Sequence, residues 1–159
     1  MVADINAADR LLMDWAAEAC GTVEVSLAPP GLPGHADHVS LYLYEMRGEP
    51  EGRGLEKASL RVALRYLVTT DAPEPAAAHR RLWELVRSAA MRSERAASDW
   101  AMDLDALPPG TWEALGVPPR PAFVLRVTVR QSAERSKVPI VSEPPVIDLS
   151  QITTTSGAI

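Results

Sequence analysis

Two groups of side chains have the types and spacing that chemistry requires. His35 and His38, with Asp37 between them, could bind a metal ion through imidazole and carboxylate atoms. They lie in a glycine- and proline-rich segment without a further ligand nearby, so we expect a solvated turn and no metal. Asp103 and Asp105 share one face of a predicted strand, as paired catalytic carboxylates would. The polar face of an amphipathic strand explains this spacing without chemistry, and we favour that interpretation.

The remaining candidates for catalysis have simpler explanations. His79 falls on the apolar stripe of a predicted helix, where a histidine is more often packed and hydrogen-bonded than catalytic. Cys20 is the single cysteine, which excludes an intramolecular disulfide and a multi-cysteine metal site, and we expect it to be a small buried hydrophobe. Residues 48–54 contain three glycines without dinucleotide or P-loop spacing. We therefore expect a protein that is not an enzyme and binds no cofactor.

Composition limits the class of protein further. The chain has 159 residues, of which 47% are hydrophobic and 23% charged, as is typical of one soluble globular domain. Its net charge of -5 argues against a nucleic-acid partner, since phosphates demand a basic surface. No run approaches the roughly 18 apolar residues of a membrane span, and Asp4 and Asp9 stand where a signal peptide would be basic and apolar. We expect a cytoplasmic protein without a membrane partner.

Periodicity predicts the elements that position these residues. Apolar residues at helical spacing predict a helix over residues 4–19, capped by Asp4 and stopped at Gly21. A second helix opens at Pro75, with His79, Leu82, Val86 and Ala89 or Ala90 as its buried stripe. Alternation predicts strands near residues 23–27, 39–44, 60–69, 100–105 and 123–130. The expected fold is α+β, a mainly antiparallel sheet of about five strands with the two longer helices on one face.

The carboxyl-terminal segment follows a different pattern. After Ser132 the periodicity ends, and Pro139, Pro144 and Pro145 keep the chain extended by fixing φ and removing hydrogen-bond donors. We therefore divide the chain into a domain, residues 1–132, and an extended arm, residues 133–159. We expect the arm to contact a partner through its apolar residues, which are Val138, Ile140, Val141, Val146, Ile147, Leu149 and Ile152.

Four segments together resemble a known family. They are VSLYLYEMR at residues 39–47, LRVALRYLVTT at 60–70, AHRRLWELV at 78–86 and WEALGVPPRPAFVLRV at 112–127. In this order and spacing they are similar to the amino-terminal domain of the tube-terminating cap proteins of contractile injection systems, of the antifeeding-prophage and virulence-cassette type. The sequence departs from that pattern at Trp83, where the family usually has glycine, and at Ala122, where it more often has serine.

The resemblance implies a structural role. It predicts a homo-oligomeric ring, expected to be a hexamer, that stacks on the last layers of inner-tube and sheath protein and stops their polymerisation within a particle assembled in the cytoplasm. Arg61 and Arg65, on the less apolar face of the longest strand, could pair with carboxylates at the tube end. A solvated or intrachain-paired face is an equally open interpretation. The alternative function is a small cytoplasmic adaptor that binds an effector or a baseplate component through its carboxyl-terminal arm.

Overall fold

The computed structural model describes residues 2–31, 37–49, 59–95, 99–108 and 110–132. The elements of this part of the chain are α1 (Ile5–Cys20), β1 (Glu24–Ser26), β2 (His38–Gly48), β3 (Ser59–Asp71), α2 (Pro75–Arg95), β4 (Trp100–Asp103), α3 (Thr111–Leu115) and β5 (Ala122–Ser132). The strands form one sheet in the order β1-β2-β3-β5-β4. The pairs β2–β3, β3–β5 and β4–β5 are antiparallel, whereas β1 runs parallel to β2. The predicted α+β fold with a mainly antiparallel sheet is confirmed.

Helix α1 begins and ends within one residue of the predicted bounds, and both of its ends are capped as predicted. The Asp4 carboxylate accepts a hydrogen bond of 2.7 Å from the Ala7 backbone N–H. At the other end Gly21, with a φ of 71°, donates its N–H to the Ala17 carbonyl at 2.9 Å. Between these caps the residues that face the sheet are fully buried, namely Ala8, Leu12, Trp15 and Ala16.

Helix α2 lies where the sequence predicts it, but its buried stripe is rotated. Leu85 and Ala89 are fully buried, and Leu82 and Val86 are only partly buried. His79 is exposed, so its predicted place on the buried stripe is wrong. The residue before it, Ala78, faces the sheet instead, and its carbonyl accepts a hydrogen bond of 2.8 Å from the Thr70 hydroxyl. One residue of a helix turns the side chain by about 100°, which is enough to move His79 into solvent.

The main core lies between the two long helices and one face of the sheet, as predicted. Trp15 of α1 and Trp100 of β4 meet edge to face at its centre, with ring centroids 5.3 Å apart. The Trp15 indole N–H donates to the Ser88 hydroxyl of α2 at 3.0 Å, so one side chain ties together α1, α2 and β4. Buried apolar residues of the central strands complete this core, namely Val39, Leu41, Leu64, Tyr66, Val68, Phe123, Leu125 and Val127.

Tyr66 places a polar group inside this core, and its hydroxyl donates a hydrogen bond of 2.6 Å to the Asp9 carboxylate. Burial, and then the bond to Asp9, raise the pKa of Tyr66 well above its usual range. We expect Tyr66→Phe to lower the free energy of unfolding by about 1 kcal/mol at pH 7. Because the unfolded tyrosine ionises near pH ~10 and the folded one does not, the wild type should lose this advantage as the pH rises past that value. Urea unfolding at pH 7 and pH 11 measures both effects, and an equal difference at the two pH values would contradict the prediction.

Candidate interaction surface

The face of the sheet opposite α1 and α2 carries most of the strand charges. Side chains alternate between the two faces of a sheet. On β3 and β5, the residues next to those of the main core therefore point to this second face. It contains an open cavity of about 440 Å³ lined by Arg47, Glu49, Ala63, Arg65, Asp103 and Arg126, among others. We call the charged residues of this region, which are Glu45, Arg47, Glu49, Arg61, Arg65, Asp103 and Arg126, the charged face.

A β-bulge in β2 creates part of the charged face. Leu43 is paired with Tyr66, but the next paired residue of β2 is Glu45, opposite Arg65, so that Tyr44 is the extra residue. The bulge moves Glu45 from the helix side of the sheet to the side of Arg65. Strict alternation would have placed Glu45 on the same face as Leu43, beside the apolar core. The sequence signal of this bulge is therefore Glu45, a carboxylate at a position where the alternation of Val39, Leu41 and Leu43 would continue with an apolar residue.

Arg65 is the centre of the charged face. Its guanidinium lies 3.1 Å from a carboxylate oxygen of Glu45 on β2 and 3.2 Å from one of Asp103 on β4. It also lies 5.7 Å from the centre of the Tyr44 ring, within the range of a cation–π contact. Burial raises the pKa of Tyr44, and the nearby Arg65 charge partly opposes that effect. Arg65 therefore connects β2, β3 and β4 across the surface of the sheet.

Arg61 lies beside a different carboxylate, that of Glu49. Its Nε atom lies 3.1 Å from Glu49, and Arg126 lies 3.9 Å from the other oxygen of the same carboxylate. Both arginines that the sequence analysis singled out are thus paired within the chain, while their contact with a partner protein stays a prediction. Arg47 and Arg126 are the more accessible cations, with 65% and 48% of their side chains exposed against 20% for Arg65.

We expect Arg65→Met to lower the free energy of unfolding by about 1–2 kcal/mol. The variant removes two ion pairs of a largely buried guanidinium. It leaves Asp103 without that partner, while Glu45 keeps its pair with Arg47. Arg126→Met is the control on the same face, because that side chain is half exposed and its carboxylate is 3.9 Å away. It should change the stability by less than about 0.5 kcal/mol. Equal losses in urea unfolding of the two variants would contradict this ranking.

The residues first considered for metal binding have other roles. His38 is buried as the first residue of β2, so the predicted solvated turn is wrong at this position; pairing of β2 with Asp71 of β3 draws it into the sheet. Asp37 is exposed and lies 2.6 Å from Arg81 of α2. His35 lies outside the described residues. Within the described ranges, no group of three His, Cys, Asp or Glu residues is placed to hold a metal ion.

The other residues considered for chemistry, Asp103 with Asp105 and Cys20, lie in different parts of the fold. Strand β4 ends at Asp103, so the prediction that the strand reaches Asp105 is wrong; the Asp105 N–H instead turns back to donate to the Asp103 carboxylate at 2.9 Å. Cys20 is half-buried, and burial raises the pKa of its thiol, which disfavours the reactive thiolate.

The arm, residues 133–159, lies outside the described residues. Among the described helices, none is long and apolar enough to span a membrane.

Comparison with known proteins agrees with this architecture. Neither a protein-family model nor a curated protein matches the sequence. The solved sheath/tube terminator of the extracellular contractile injection system PVC, in its extended state, is similar over 93% of this chain, with a TM-score of 0.63 and 16% identity. The tube-terminating cap of the anti-feeding prophage is similar over 91%, with a TM-score of 0.59 and 16% identity. The chain spans 64% and 62% of the length of these two proteins. It therefore has the fold of the tube terminators of contractile injection systems, as the four sequence segments predicted.

Proposed function

We propose that this protein is a tube-terminating cap of a phage-tail-like contractile injection system. In this role it forms a ring, expected to be a hexamer, that binds the last layer of inner tube and sheath and stops their growth. The observation that carries the proposal is the similarity of fold over 93% of the chain to a structure named as a sheath/tube terminator. The resemblance of the four sequence segments to the same family supports the same role.

The charged face is suited to bind the end of a tube. It holds four arginines and three carboxylates on a rigid sheet, and the ion pairs of Arg61 and Arg65 fix their guanidinium groups in place. Side chains that are already ordered lose less conformational entropy on binding. We propose that Arg47 and Arg126 meet tube carboxylates first and that Arg61 and Arg65 share these contacts once the surfaces close.

Part of β2 forms an open edge of the described sheet. β1 pairs only with residues 38–40 of β2, and among the described residues no strand pairs with the outer edge of residues 41–48. Such an edge presents unused N–H and C=O groups to an incoming strand. We propose that the arm of one subunit adds to the sheet edge of its neighbour, with Val146, Ile147, Leu149 and Ile152 supplying the side-chain contacts.

Electron microscopy of the assembled particles tests the proposed function. With the protein present, tubes should be uniform in length and carry this protein at one end; without it, they should be longer, variable or open-ended. Deletion of residues 133–159 should give the same defect. An adaptor would instead lose its effector or baseplate component and leave tube length unchanged. A protein that stays monomeric and never co-sediments with tube or sheath would overturn the proposal.

A further inference from the structure

Within the described part of the chain, the two long helices leave one corner of the sheet uncovered. Val2, just before α1, forms a β-bridge with Val129 of β5, and β1 at the edge of the sheet follows the end of α1. This helix therefore crosses the sheet diagonally from β5 to the β1 edge, while α2 lies over β3 and β4. The last residues of β2 and the first residues of β3 stay outside both helices.

Apolar side chains occupy this corner. Met46 of β2 is paired with Leu64, a residue of the main core, so Met46 projects to the helix side of the sheet. Leu60 and Val62 precede Leu64 at two-residue spacing and project to the same side. Met46 is 63% exposed and Leu60 is 59% exposed, whereas Val62 between them is partly buried. We call Met46, Leu60 and Val62 the open corner, which continues the apolar face of the sheet past the helices.

The carboxyl-terminal arm starts beside the open corner. β5 ends at Ser132, which is paired with Ser59, the residue before Leu60. Met46, the far end of the corner, lies two strands across from Ser132 and five residues along the sheet, which is roughly 20 Å. An extended chain from Ser132 to Ile140 spans about 26 Å. The first apolar residues of the arm can therefore reach the whole corner.

We propose that Val138 and Ile140 of the arm bind the open corner of their own chain. Residues 138–141 read Val-Pro-Ile-Val, so they contain three large apolar side chains and no charge. In an extended segment Val138 and Ile140 point to one side, and their spacing of about 7 Å matches the two-residue spacing of the open corner on β3. Pro139 favours the extended form and has no N–H, which suits a segment that crosses the face of a sheet without pairing as a strand.

Two other occupants fit the open corner less well. Residues 50–58 connect β2 to β3 beside it, but four of these nine residues are charged and Leu55 is the single large apolar one. A second copy of the domain would gain little, because the corner offers two exposed side chains, whereas a stable interface buries roughly 800 Å² per partner. The sequence and the position of the chain exit both favour the arm.

This contact also determines where the rest of the arm begins. The 18 residues from 142 to 159 would leave the domain beside β2 and could extend over about 60 Å. That length is enough to reach a neighbouring subunit, as the proposed function requires. The contact itself involves one chain, so it does not depend on the cap function.

Disulfide trapping tests the contact in the full-length protein with Cys20 replaced by serine. Met46→Cys/Ile140→Cys should form an intrachain disulfide under mild oxidation at least tenfold faster than Arg47→Cys/Ile140→Cys. Arg47 is the matched control, because it is the next residue of β2 and is similarly exposed, at 65%, but points to the charged face. Equal rates, or a faster reaction at Arg47, would overturn the proposal. A disulfide between two chains, seen as a dimer on a non-reducing gel, would assign the open corner to the arm of another subunit and would overturn it too.

Thermal unfolding of the isolated full-length subunit gives a second test. Ile140→Ser should lower the midpoint by about 3 °C, whereas Ile147→Ser, the same change farther along the arm, should shift it by less than about 1 °C. Met46→Ser/Leu60→Ser should also lower the midpoint, and adding Ile140→Ser to it should cause no further loss, because both changes remove the same contact. Additive losses, or a midpoint that none of these changes moves, would overturn the proposal. The cap function would still stand, since the length of the tubes tests it separately.

Discussion

Trp15→Ala is expected to lower the free energy of unfolding by about 3–5 kcal/mol, the range for removing a large aromatic side chain from a core. Trp15 is only 2% exposed, and its ring meets Trp100 at a centroid distance of 5.3 Å. Alanine would leave a cavity between α1, α2 and β4 and would also remove the N–H that bonds to Ser88. Since a domain of this size is stable by only about 5–15 kcal/mol, the loss should be visible as a much lower urea midpoint.

Trp83→Ala is the matched control, because it removes the same atoms from a side chain that is 63% exposed. Its effect on the unfolding of the isolated subunit should stay within about 0.5 kcal/mol. Trp15→Phe should fall between the two, since phenylalanine fills part of the cavity without the indole N–H. Similar losses for Trp15→Ala and Trp83→Ala would contradict the placement of Trp15 at the centre of the core.

Local sequence signals predicted most of the elements because those signals act over a few residues. Asp4 and Gly21 bound α1 through hydrogen bonds to residues three and four positions away, so the sequence alone determines both ends. Alternation of apolar residues likewise located all five strands, within a few residues at their ends. The predicted sheet is confirmed because its strands have one largely apolar face that must be covered.

The sequence did not predict features that depend on pairing between distant residues. The parallel pairing of β1 with β2 and the strand order are properties of the whole sheet, and no short pattern encodes them. The same is true of Arg65, whose partners Glu45 and Asp103 are 20 and 38 residues away. Only the bulge at Tyr44 brings Glu45 within reach of Arg65. The sequence therefore indicated Arg61 and Arg65 but did not predict their carboxylate partners.

The misassigned face of α2 has a different cause. Apolar residues cover more than one side of this helix, since Leu82, Trp83, Leu85 and Val86 are close in sequence but cannot all face the sheet. With so broad an apolar surface, the helical period does not determine which stripe is buried. In the structure the side of α2 that carries Leu85 is buried, and the side that carries Trp83 is exposed. The predicted stripe, which runs through His79, points in a direction between these two sides.

Asp71→Ala is expected to lower the free energy of unfolding by about 2 kcal/mol. The Asp71 carboxylate, at the end of β3, accepts a hydrogen bond of 2.6 Å from Arg120, just before β5, and lies 3.9 Å from the buried His38 of β2. Only 19% of the Arg120 side chain is exposed, so the variant leaves a largely buried guanidinium without its carboxylate. The cost of an unpaired buried charge exceeds that of a lost surface pair, although partial exposure keeps it below the fully buried case.

Glu84→Ala provides the comparison, because it also removes a carboxylate from an arginine, but both partners are well exposed on α2. It should change the stability of the isolated subunit by about 0.3–0.5 kcal/mol. Urea unfolding of both variants and of Asp71→Ala/Arg120→Met separates the two causes of the Asp71 effect. If the unpaired guanidinium dominates, the double variant should recover part of the loss, since no charge is then left buried. A double variant less stable than Asp71→Ala would mean instead that the Arg120 side chain contributes mainly by packing against the start of β5.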